Sequence, residues 1–203
     1  MRRSLLVAML ALAAAPALAQ DKPPLFPTRD VAITYRFTGA QAPAGMPTMT
    51  MSWLAAAQIM RMDMGAMGYM VADHRNQRGF IVMEAARMIM DVPMEQAMQQ
   101  AGPSANASYR RTGTDTVAGL ACTVWNYQDR DNTGTACITA EGVMLRAQGS
   151  NGGQSGSMEA TQVAFGTQNP ARFQRPQGFQ SMQIPGQGGQ GGGSGLPGQR
   201  PTR

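Results

Sequence analysis

The sequence predicts a mainly β domain, built as one strongly bent antiparallel sheet, or unclosed β-barrel, with one short helix. Short segments of alternating apolar and polar residues recur about every 8–12 residues, as they do in antiparallel β proteins. Polar or glycine-containing segments that suit hairpin turns separate them. About 150 residues carry this pattern, which is enough to bury one core. We therefore expect a single domain over residues 30–182.

The first 19 residues have the pattern of a secretory signal peptide. Arg2 and Arg3 precede an apolar run over 5–15 and the A-x-A cleavage box at 17–19. The run has 11 residues, whereas a membrane-spanning helix needs roughly 20. We expect cleavage after Ala19, a periplasmic mature protein and no integral membrane segment once the signal is removed.

The charge of the mature chain does not favour a nucleic-acid partner. Removing Arg2 and Arg3 from the whole-chain charge of +5 leaves +3. The remaining basic residues are scattered, and no Lys/Arg run lies among aromatic residues as a nucleic-acid surface requires.

Residues 20–29 are rich in proline and predict a flexible leader before the first strand. From Val31 the chain alternates, with Val31, Ile33, Tyr35 and Phe37 on one face. The strands predicted by this kind of alternation are 31–38, 48–56, 59–64, 69–72, 80–83, 88–92, 109–117, 120–127, 135–140, 143–148 and 158–165.

Residues 93–101 are the best helix candidate, because Pro93 suits a first turn and Glu95 complements the helix dipole. Gly102 and Pro103 would end this helix. We expect a loop over 148–157 and one helical turn within 170–176. The tail over 183–203 is almost entirely Gly, Gln and Pro with little to bury, which predicts disorder.

The only two cysteines, Cys122 and Cys137, predict one disulfide in an oxidising compartment. They lie in two short β-prone segments around the polar stretch 129–134, which we interpret as a hairpin turn. If Tyr127 faces Asn132, Cys122 lies directly opposite Cys137, where Cβ atoms are about 4.5–5.5 Å apart. No C-x-x-C motif is present, so the bridge is expected to be structural.

No catalytic motif is recognisable, and we predict that the protein is not an enzyme and holds no cofactor. His74 is the only histidine and lies in a polar turn, so we expect a surface histidine without a catalytic or metal role. Neither G-x-S-x-G nor H-E-x-x-H occurs. A hydrolase with an unrecognised carboxylate pair is the enzyme alternative.

Methionine is unusually abundant, with 18 residues, of which 16 remain after signal removal. Many alternate along predicted strands, as at Met60, Met62 and Met64. Such a pattern predicts one apolar, polarisable face, which is typical of adaptable binding surfaces or of a packed core. Thioethers also suit Cu(I), but alternate residues on one strand lie about 6.6–6.8 Å apart. Neighbouring strands would therefore have to contribute to a copper site.

Five stretches, in this order, carry a family resemblance: Val31-x-Ile33-x-Tyr35-Arg36 with Met51-Ser52-Trp53 and Arg61-Met62-Asp63; Tyr69-Met70-Val71-x-Asp73-His74 with Phe80-Ile81-Val82-Met83; Gly113-Thr114-Asp115-Thr116-Val117-Ala118-Gly119-Leu120-x-Cys122-x-x-Trp125; Cys137-Ile138-Thr139-x-Glu141-Gly142-Val143; and Asn169-Pro170-x-x-Phe173-x-x-Pro176-x-Gly178-Phe179. Over roughly 30–180 the chain resembles an uncharacterised family, a domain of unknown function, of exported proteins similar to the LolA/LolB lipoprotein carriers.

The resemblance implies an unclosed barrel with helices in or over its hollow, and in carriers of the LolA type the hollow takes acyl chains. This chain departs from those carriers, because it offers one short helix and methionine in place of bulky aromatic or aliphatic lining. Fold alone does not fix function. The resemblance therefore implies lipid carriage only through the fold.

We predict a non-catalytic periplasmic binding module whose partner is an apolar small molecule or lipid, held in the concave face of the sheet. The predicted ligand-binding residues are Met49, Met51, Trp53, Met60, Met62, Met64 and Met90. The alternative is a periplasmic Cu(I)-binding module that uses the thioethers of Met60, Met62 and Met64; otherwise no metal site is expected.

Overall fold

The computed structural model describes residues 22–39, 48–94, 106–130, 132–151 and 154–182. The predicted signal peptide over 1–19 and the predicted disordered tail over 183–203 lie outside these residues. Most of the predicted helix over 93–101 also lies outside them. Its first residue, Pro93, is the last residue of a strand and pairs with Arg78.

A single sheet of twelve strands organises the described part of the chain. In chain order the strands are β1 (Val31–Gly39), β2 (Thr48–Leu54), β3 (Ile59–Asp63), β4 (Tyr69–Asp73), β5 (Arg78–Met83), β6 (Met88–Pro93), β7 (Ser108–Val117), β8 (Leu120–Asp129), β9 (Asn132–Ile138), β10 (Met144–Asn151), β11 (Gln154–Phe165) and β12 (Gln180–Met182). Two 3-10 turns occur among the described residues, Gly65–Met67 and Pro170–Phe173.

The spatial order of the strands is β12-β6-β5-β4-β3-β2-β1-β11-β10-β9-β8-β7. Eleven strands, β1 to β11, pair antiparallel with their neighbours, and β12 pairs parallel with β6. The two edges, β12 and β7, do not pair with each other, so the sheet is unclosed. This confirms the predicted mainly β, unclosed antiparallel fold.

The sheet bends so strongly that strands far apart in its order come together. β7 and β10 are separated by β8 and β9, which would place them about 14 Å apart in a flat sheet. Nevertheless Arg146 of β10 lies 2.6 Å from the Asp115 carboxylate of β7, and β7 also contacts β11. Register shifts at 34/35, 111/113 and 144/146 mark irregularities of the kind that sharpen such bends.

The main core contains residues of β1, at the centre of the sheet, and residues of strands on both sides of it. Val31, Ile33 and Tyr35 of β1 are almost fully buried, while the residues between them are only partly buried. This alternation matches the pattern that predicts β1 from the sequence. Leu145 and the disulfide join the same cluster.

A second core lies on the opposite side of β3–β6, under the C-terminal segment 166–182. Phe173, from the 3-10 turn, is buried against Tyr69, Val71, Val82 and Ile89. The predicted helical turn within 170–176 thus exists as Pro170–Phe173, capped by the Asn169 side chain, which accepts from the Ala171 amide at 3.0 Å. The turn covers this side of the sheet and leaves the other side to the methionines.

Two predicted loops are shorter than expected. Strand pairing extends into the turn placed at 129–134, because Asp129 already pairs with Asn132. The loop placed at 148–157 is mostly strand, since β10 continues to Asn151 and β11 begins at Gln154. The short strand β12 was not predicted.

Candidate functional site

Methionines of neighbouring strands lie side by side on one face of the sheet. Directly paired residues share a face, and the pairing runs Ile33–Met51–Met62–Met70–Ile81–Met90–Met182 across seven strands. We call this set the methionine row. The row places Met51, Met62 and Met70 on three adjacent strands, and Met90 and Met182 on two further adjacent strands beyond Ile81. Adjacent strands lie about 4.7–4.9 Å apart.

Parallel rows extend the same face in both directions. Trp53 pairs with Val31 and with Met60, one step along the strands from the methionine row. Met49 pairs with Tyr35 on the other side of the row, and Met83 pairs with Met88. We call the side of β1–β6 that carries these residues the methionine face.

Six of the seven predicted site residues lie on the methionine face, namely Met49, Met51, Trp53, Met60, Met62 and Met90. Met64 lies one residue beyond β3, where its amide donates to the carbonyl of Gly68 at 2.8 Å. The methionines of the set are only partly buried, whereas Trp53 is 2% exposed. Sequence reasoning left Met70, Met83, Met88 and Met182 out of the set, because only the strand register places them on this face.

The methionine face is continuous with the main core. Met51 and Met60 pack against the buried cluster that contains Val31, Ile33 and Tyr35. Tyr35 donates its hydroxyl to the carbonyl of Met144 at 2.8 Å, and burial raises the pKa of this phenol far above its usual value. The face therefore begins in a fixed, closely packed region at β1 and becomes more exposed toward β12, where Met182 is 40% exposed.

The back of the same strands is occupied and polar at its rim. Arg61 of β3 stacks over the Tyr69 ring, 3.5 Å from its centroid, and donates to the carbonyl of Arg172 at 2.7 Å. Asp63 accepts from both Arg61 and Arg172. These contacts hold the C-terminal segment against the back of the sheet.

The N-terminal segment packs against one end of the sheet. We call residues 22–30 the strap. Phe26 stacks on Trp53 with the rings 6° from parallel and 5.4 Å between centroids. The indole nitrogen of Trp53 donates to the carbonyl of Pro27 at 2.7 Å. Residues 20–29 were predicted to form a flexible leader. In the structure the strap is held by contacts with Trp53, which is buried.

The strap contacts both halves of the bent sheet, which are β2–β6 on one side of the central pair β1–β11 and β7–β10 on the other. Its Phe26 contacts β2, while its Thr28 amide donates to the carbonyl of Glu141 in the turn between β9 and β10 at 2.9 Å. Arg29 pairs with Glu141 at 3.5 Å and lies over the Phe165 ring of β11 at 3.7 Å. The strap therefore spans this end of the sheet, from β2 to the turn between β9 and β10.

His74 lies beneath the strap rather than at a free surface, which corrects the expectation from the sequence. Its ring is tilted by 58° against both Phe26 and Trp53, with centroids 4.8 and 5.5 Å away. Both ring nitrogens are shielded from solvent, and neither has a hydrogen-bond partner. Burial lowers the pKa of His74 and outweighs the nearby Asp73, which raises it.

The disulfide joins Cys122 and Cys137, as predicted, but with a different register. Val124, not Cys122, is the partner of Cys137 in the β8–β9 ladder. The cysteines are diagonal neighbours with Cα atoms 5.4 Å apart, because strand twist brings one diagonal pair closer than the other. The bridge is buried in the main core, where it links β8 to β9, and it does not lie on the methionine face.

Five acidic side chains of the described residues pair with arginine, namely Asp63, Asp91, Asp115, Glu141 and Glu159. Among these described residues no three of His, Cys, Asp or Glu come close enough together to hold a metal ion. No helix within the described ranges is long and apolar enough to cross a membrane.

Comparison with known proteins gives a family and a fold. A family model described as a domain of unknown function (DUF4412) matches residues 40–164. No protein of curated function matches the sequence.

Among solved structures, a crystal structure of MucB is 16% identical, over 75% of this chain and 59% of that chain, with a TM-score of 0.52. The MucA/MucB complex of Pseudomonas aeruginosa is also 16% identical, over 76% and 58%, with a TM-score of 0.48. The LolA superfamily protein NE2245 of Nitrosomonas europaea is 7% identical, over 75% and 93%, with a TM-score of 0.27. The chain thus spans less than two thirds of the MucB chains, and the MucB likeness shows the fold alone.

Proposed function

The chain belongs to the DUF4412 family of domains of unknown function, and from this premise we propose that it is a non-catalytic periplasmic binding module for an apolar ligand such as an acyl chain. The proposal includes export through a signal peptide at 1–19. The ligand lies on the methionine face, against Met49, Met51, Trp53, Met60, Met62 and Met90, with Met64 just beyond the end of β3 and Met70 between Met62 and Ile81.

The methionine row is the observation that carries this proposal. Strand propensity favours Val, Ile and aromatic residues at such positions, yet five of the seven paired positions hold methionine. Methionine has three rotatable bonds and a polarisable sulfur, so it adapts to a variable apolar partner. A continuous, partly exposed apolar surface on a folded domain commonly marks a binding site.

The ion pairs of the described carboxylates support a non-catalytic role. A carboxylate that serves as general acid or base needs an environment that shifts its pKa toward neutrality. Arginines instead surround these groups, and hydrogen bonds from the Thr116 amide and from Arg146 lower the pKa of Asp115. Such carboxylates favour a role in holding strands together.

Ligand binding can be tested in two steps. Native mass spectrometry of protein purified from a periplasmic extract is expected to reveal a co-purifying apolar molecule, because an apolar face of this kind retains one through gentle purification. Titration with a fluorescent fatty acid then measures affinity. Absence of both the co-purifying molecule and fatty-acid binding would refute the proposal.

Variants locate the site. Met62→Glu places a charge at the centre of the methionine row and is expected to weaken fatty-acid binding at least tenfold, which corresponds to about 1.4 kcal/mol. Met67→Glu is the matched control, because Met67 lies in the Gly65–Met67 turn and is 51% exposed. Met62→Leu conserves volume and should bind normally, which separates loss of binding from loss of folding. Equal weakening by both Glu variants would contradict the site.

Cu(I) binding is a second candidate, favoured by three members of the row. Met60, Met62 and Met64 follow one another along the chain and cannot converge easily. Met51, Met62 and Met70 instead lie opposite one another on three adjacent strands. Three thioethers so placed can turn toward a common point above Met62, and soft thioether ligands select Cu(I).

Competition with a chromogenic Cu(I) chelator tests this candidate. Met51→Leu, Met62→Leu and Met70→Leu are each expected to lower Cu(I) affinity. Met158→Leu, which lies opposite Phe37 and outside the row, is the matched control. Affinity that is unchanged in all three row variants would exclude the site.

A further inference from the structure

The strap is placed to control access to one end of the methionine face. Trp53, on which Phe26 stacks, pairs directly with Met60 of that face. The next contact of the strap is on the far half of the sheet, at the carbonyl of Glu141. The strap therefore links the two halves at this end of the sheet.

Close backbone contact fixes the position of the strap. Gly142 has a φ of +85°, and a Cβ built there would collide with the carbonyl oxygen of Phe26. The Trp53 indole is buried and gives its only hydrogen to the carbonyl of Pro27. These contacts require one particular path for the strap.

The apolar side chains of the strap are held less completely than its backbone. Phe26 remains 42% exposed and Leu25 38% exposed, so docking buries only part of their apolar surface. Because the stabilisation from burial is proportional to the apolar area removed from water, a change in the contact beneath Phe26 shifts the balance between a docked and a released strap.

Protonation of His74 supplies such a change, because its ring contacts the rings of both Phe26 and Trp53. The two ring nitrogens have neither solvent nor a hydrogen-bond partner. A neutral imidazole tolerates this at the cost of one unsatisfied donor. An imidazolium has two charged donors to satisfy and finds no acceptor within this contact.

The charged residues of the elements around His74 are Lys22, Arg29 and Asp30 of the strap, Asp73, Arg75 and Arg78 of the β4–β5 hairpin, and Glu141 of the β9–β10 turn. The β2–β3 turn at 55–58 has none. Asp73 attracts a proton to His74, but its carboxylate is already bonded to the amide and side chain of Asn76. Arg29 is paired with Glu141, and Asp30 accepts from the amides of Ala55 and Gln168.

We propose that the strap is a pH-sensitive gate over this end of the methionine face, docked while His74 is neutral and released when His74 is protonated. The inference rests on the proposed function, since the gated surface is the proposed ligand site. Release of Phe26 exposes Trp53 and lets water reach the imidazolium. Acidification thus opens the site.

The balance of energies favours release over a charged ring held in place. An imidazolium is attracted to the faces of Trp53 and Phe26. Removing an ion from water costs more than this attraction returns, which agrees with the direction in which burial moves the pKa of His74, below its usual value.

The pH window follows from that direction. Because the docked state has the lower pKa, docking is strongest above about pH 6.5, the usual pKa of histidine, and weakens as the pH falls below that value. Each unit by which docking lowers the pKa changes the ratio of docked to released strap up to tenfold. His74 is the only histidine in the chain, so side-chain titration between pH 5 and 7.5 reports this residue.

Nuclear magnetic resonance can follow the strap without any ligand. The chain has two tryptophans, and the indole N–H signal of Trp53 reports its bond to Pro27. As the pH falls from 7.5 to 5, we expect that signal to move toward the position of a free indole. We also expect the protection factor of the Thr28 amide, which is its intrinsic exchange rate at each pH divided by its observed rate, to fall. The indole signal of Trp125 should stay in place and serves as the internal control.

Variants at both sides of the contact complete the test. His74→Phe keeps a ring that cannot be protonated and should leave the strap docked at both pH values. Phe26→Ala should release it at both. With a fluorescent fatty acid as probe, Phe26→Ala should capture ligand several-fold faster at pH 7.5, and wild-type capture should accelerate on acidification.

The gate is refuted if the Trp53 and Thr28 signals of the wild type do not change with pH, or if His74→Phe changes as the wild type does. It is also refuted if fatty acid binds but is captured at the same rate by wild type and Phe26→Ala. Absence of fatty-acid binding in every variant would instead refute the proposed function, while the signals of the strap would still decide its response to pH.

Discussion

At the residue scale, the disulfide shows how a side chain can be assigned correctly from the wrong register. The pairing of Cys122 with Cys137 follows from compartment and count. The register does not, because Asp129 instead of Tyr127 pairs with Asn132, which moves β9 by two residues relative to the expected pairing. A shift by two keeps each side chain on the same face, so both cysteines remain on the side where a bridge is possible.

Loss of the bridge is predicted to destabilise the domain without changing its fold. The bridge closes a loop with a sequence separation of 15, which stabilises by about 3 kcal/mol. The double variant Cys122→Ala/Cys137→Ala should therefore melt about 6–12 °C lower, given the usual 2–4 °C per kcal/mol at this size. Differential scanning calorimetry measures the shift.

Reductant supplies the control for that experiment. Reduced wild type should melt with the double variant, and the variant itself should not respond to reductant. A double variant that melts within about 1 °C of oxidised wild type would contradict the stabilising role, since 3 kcal/mol cannot produce so small a shift.

Gly142 allows a second prediction at this scale. Both Gly142 and Gly119 have positive φ, +85° and +77°, but a Cβ at Gly119 meets nothing within 4 Å. Gly119→Ala should therefore cost only the backbone strain of about 1–2 kcal/mol. Gly142→Ala should cost more and displace the strap, because the Cβ collides with Phe26. Chemical denaturation measures both, and equal losses would contradict the close contact.

At the element scale, most strands could be predicted because alternation and turn residues agree, as in β1 and in the Met-bearing β2 and β3. The glycine-containing parts of β9 and β10 could not. Glycine usually indicates a loop, but Gly134 and Gly149 leave the room that the Tyr127 ring occupies, since a Cβ at either would lie 2.6 Å from its hydroxyl. That reason lies across three strands and is invisible locally.

The strand β12 was missed for a similar reason. Gln180–Met182 has three residues and no pattern, and only its parallel pairing with β6 makes it a strand. Phe179, just before it, packs against the second core. The position of β12 is therefore set by these contacts and not by composition.

Truncation tests this boundary. A chain that stops after Met182 should keep the melting temperature of the full chain. A chain that stops after Gly178 loses Phe179 and the β6 partner, so it should be less stable by about 2–4 kcal/mol, mostly from the aromatic side chain. Thermal melting followed by circular dichroism compares them, and equal melting of both truncations would show that β12 contributes nothing.

At the scale of the whole molecule, the sequence predicts the unclosed sheet and the gathering of alternating methionines on one wall. It does not predict which methionines are neighbours, because the row Met51–Met62–Met70 depends on register between strands. Nor does it predict the strap, whose contacts come from Trp53, His74 and the distant turn at Glu141. Local sequence patterns predict which residues share one face of a strand. The bend of the sheet determines which residues of distant strands come into contact.

Topology predicts that the two halves of the sheet unfold together. β1 and β11, far apart in sequence, pair over nine residues of β1 at the centre of the sheet. On one side of this pair lie β2–β6 with Trp53 in the main core, and on the other lie β7–β10 with Trp125 in a separate cluster. Neither half keeps its central strand partner if the other unfolds.

Each tryptophan therefore reports one half, and urea denaturation of Trp53→Phe and Trp125→Phe compares them. Within each variant the transition of the remaining tryptophan should coincide with that of far-ultraviolet circular dichroism, as in a two-state domain. Coincidence is expected because losing the β1–β11 pairing exposes Val31 and Ile33, which are fully buried, and so removes about 3–6 kcal/mol of apolar burial from both halves at once. A Trp125 signal that changes at lower urea than the circular dichroism would indicate that β7–β10 forms a separate folding unit.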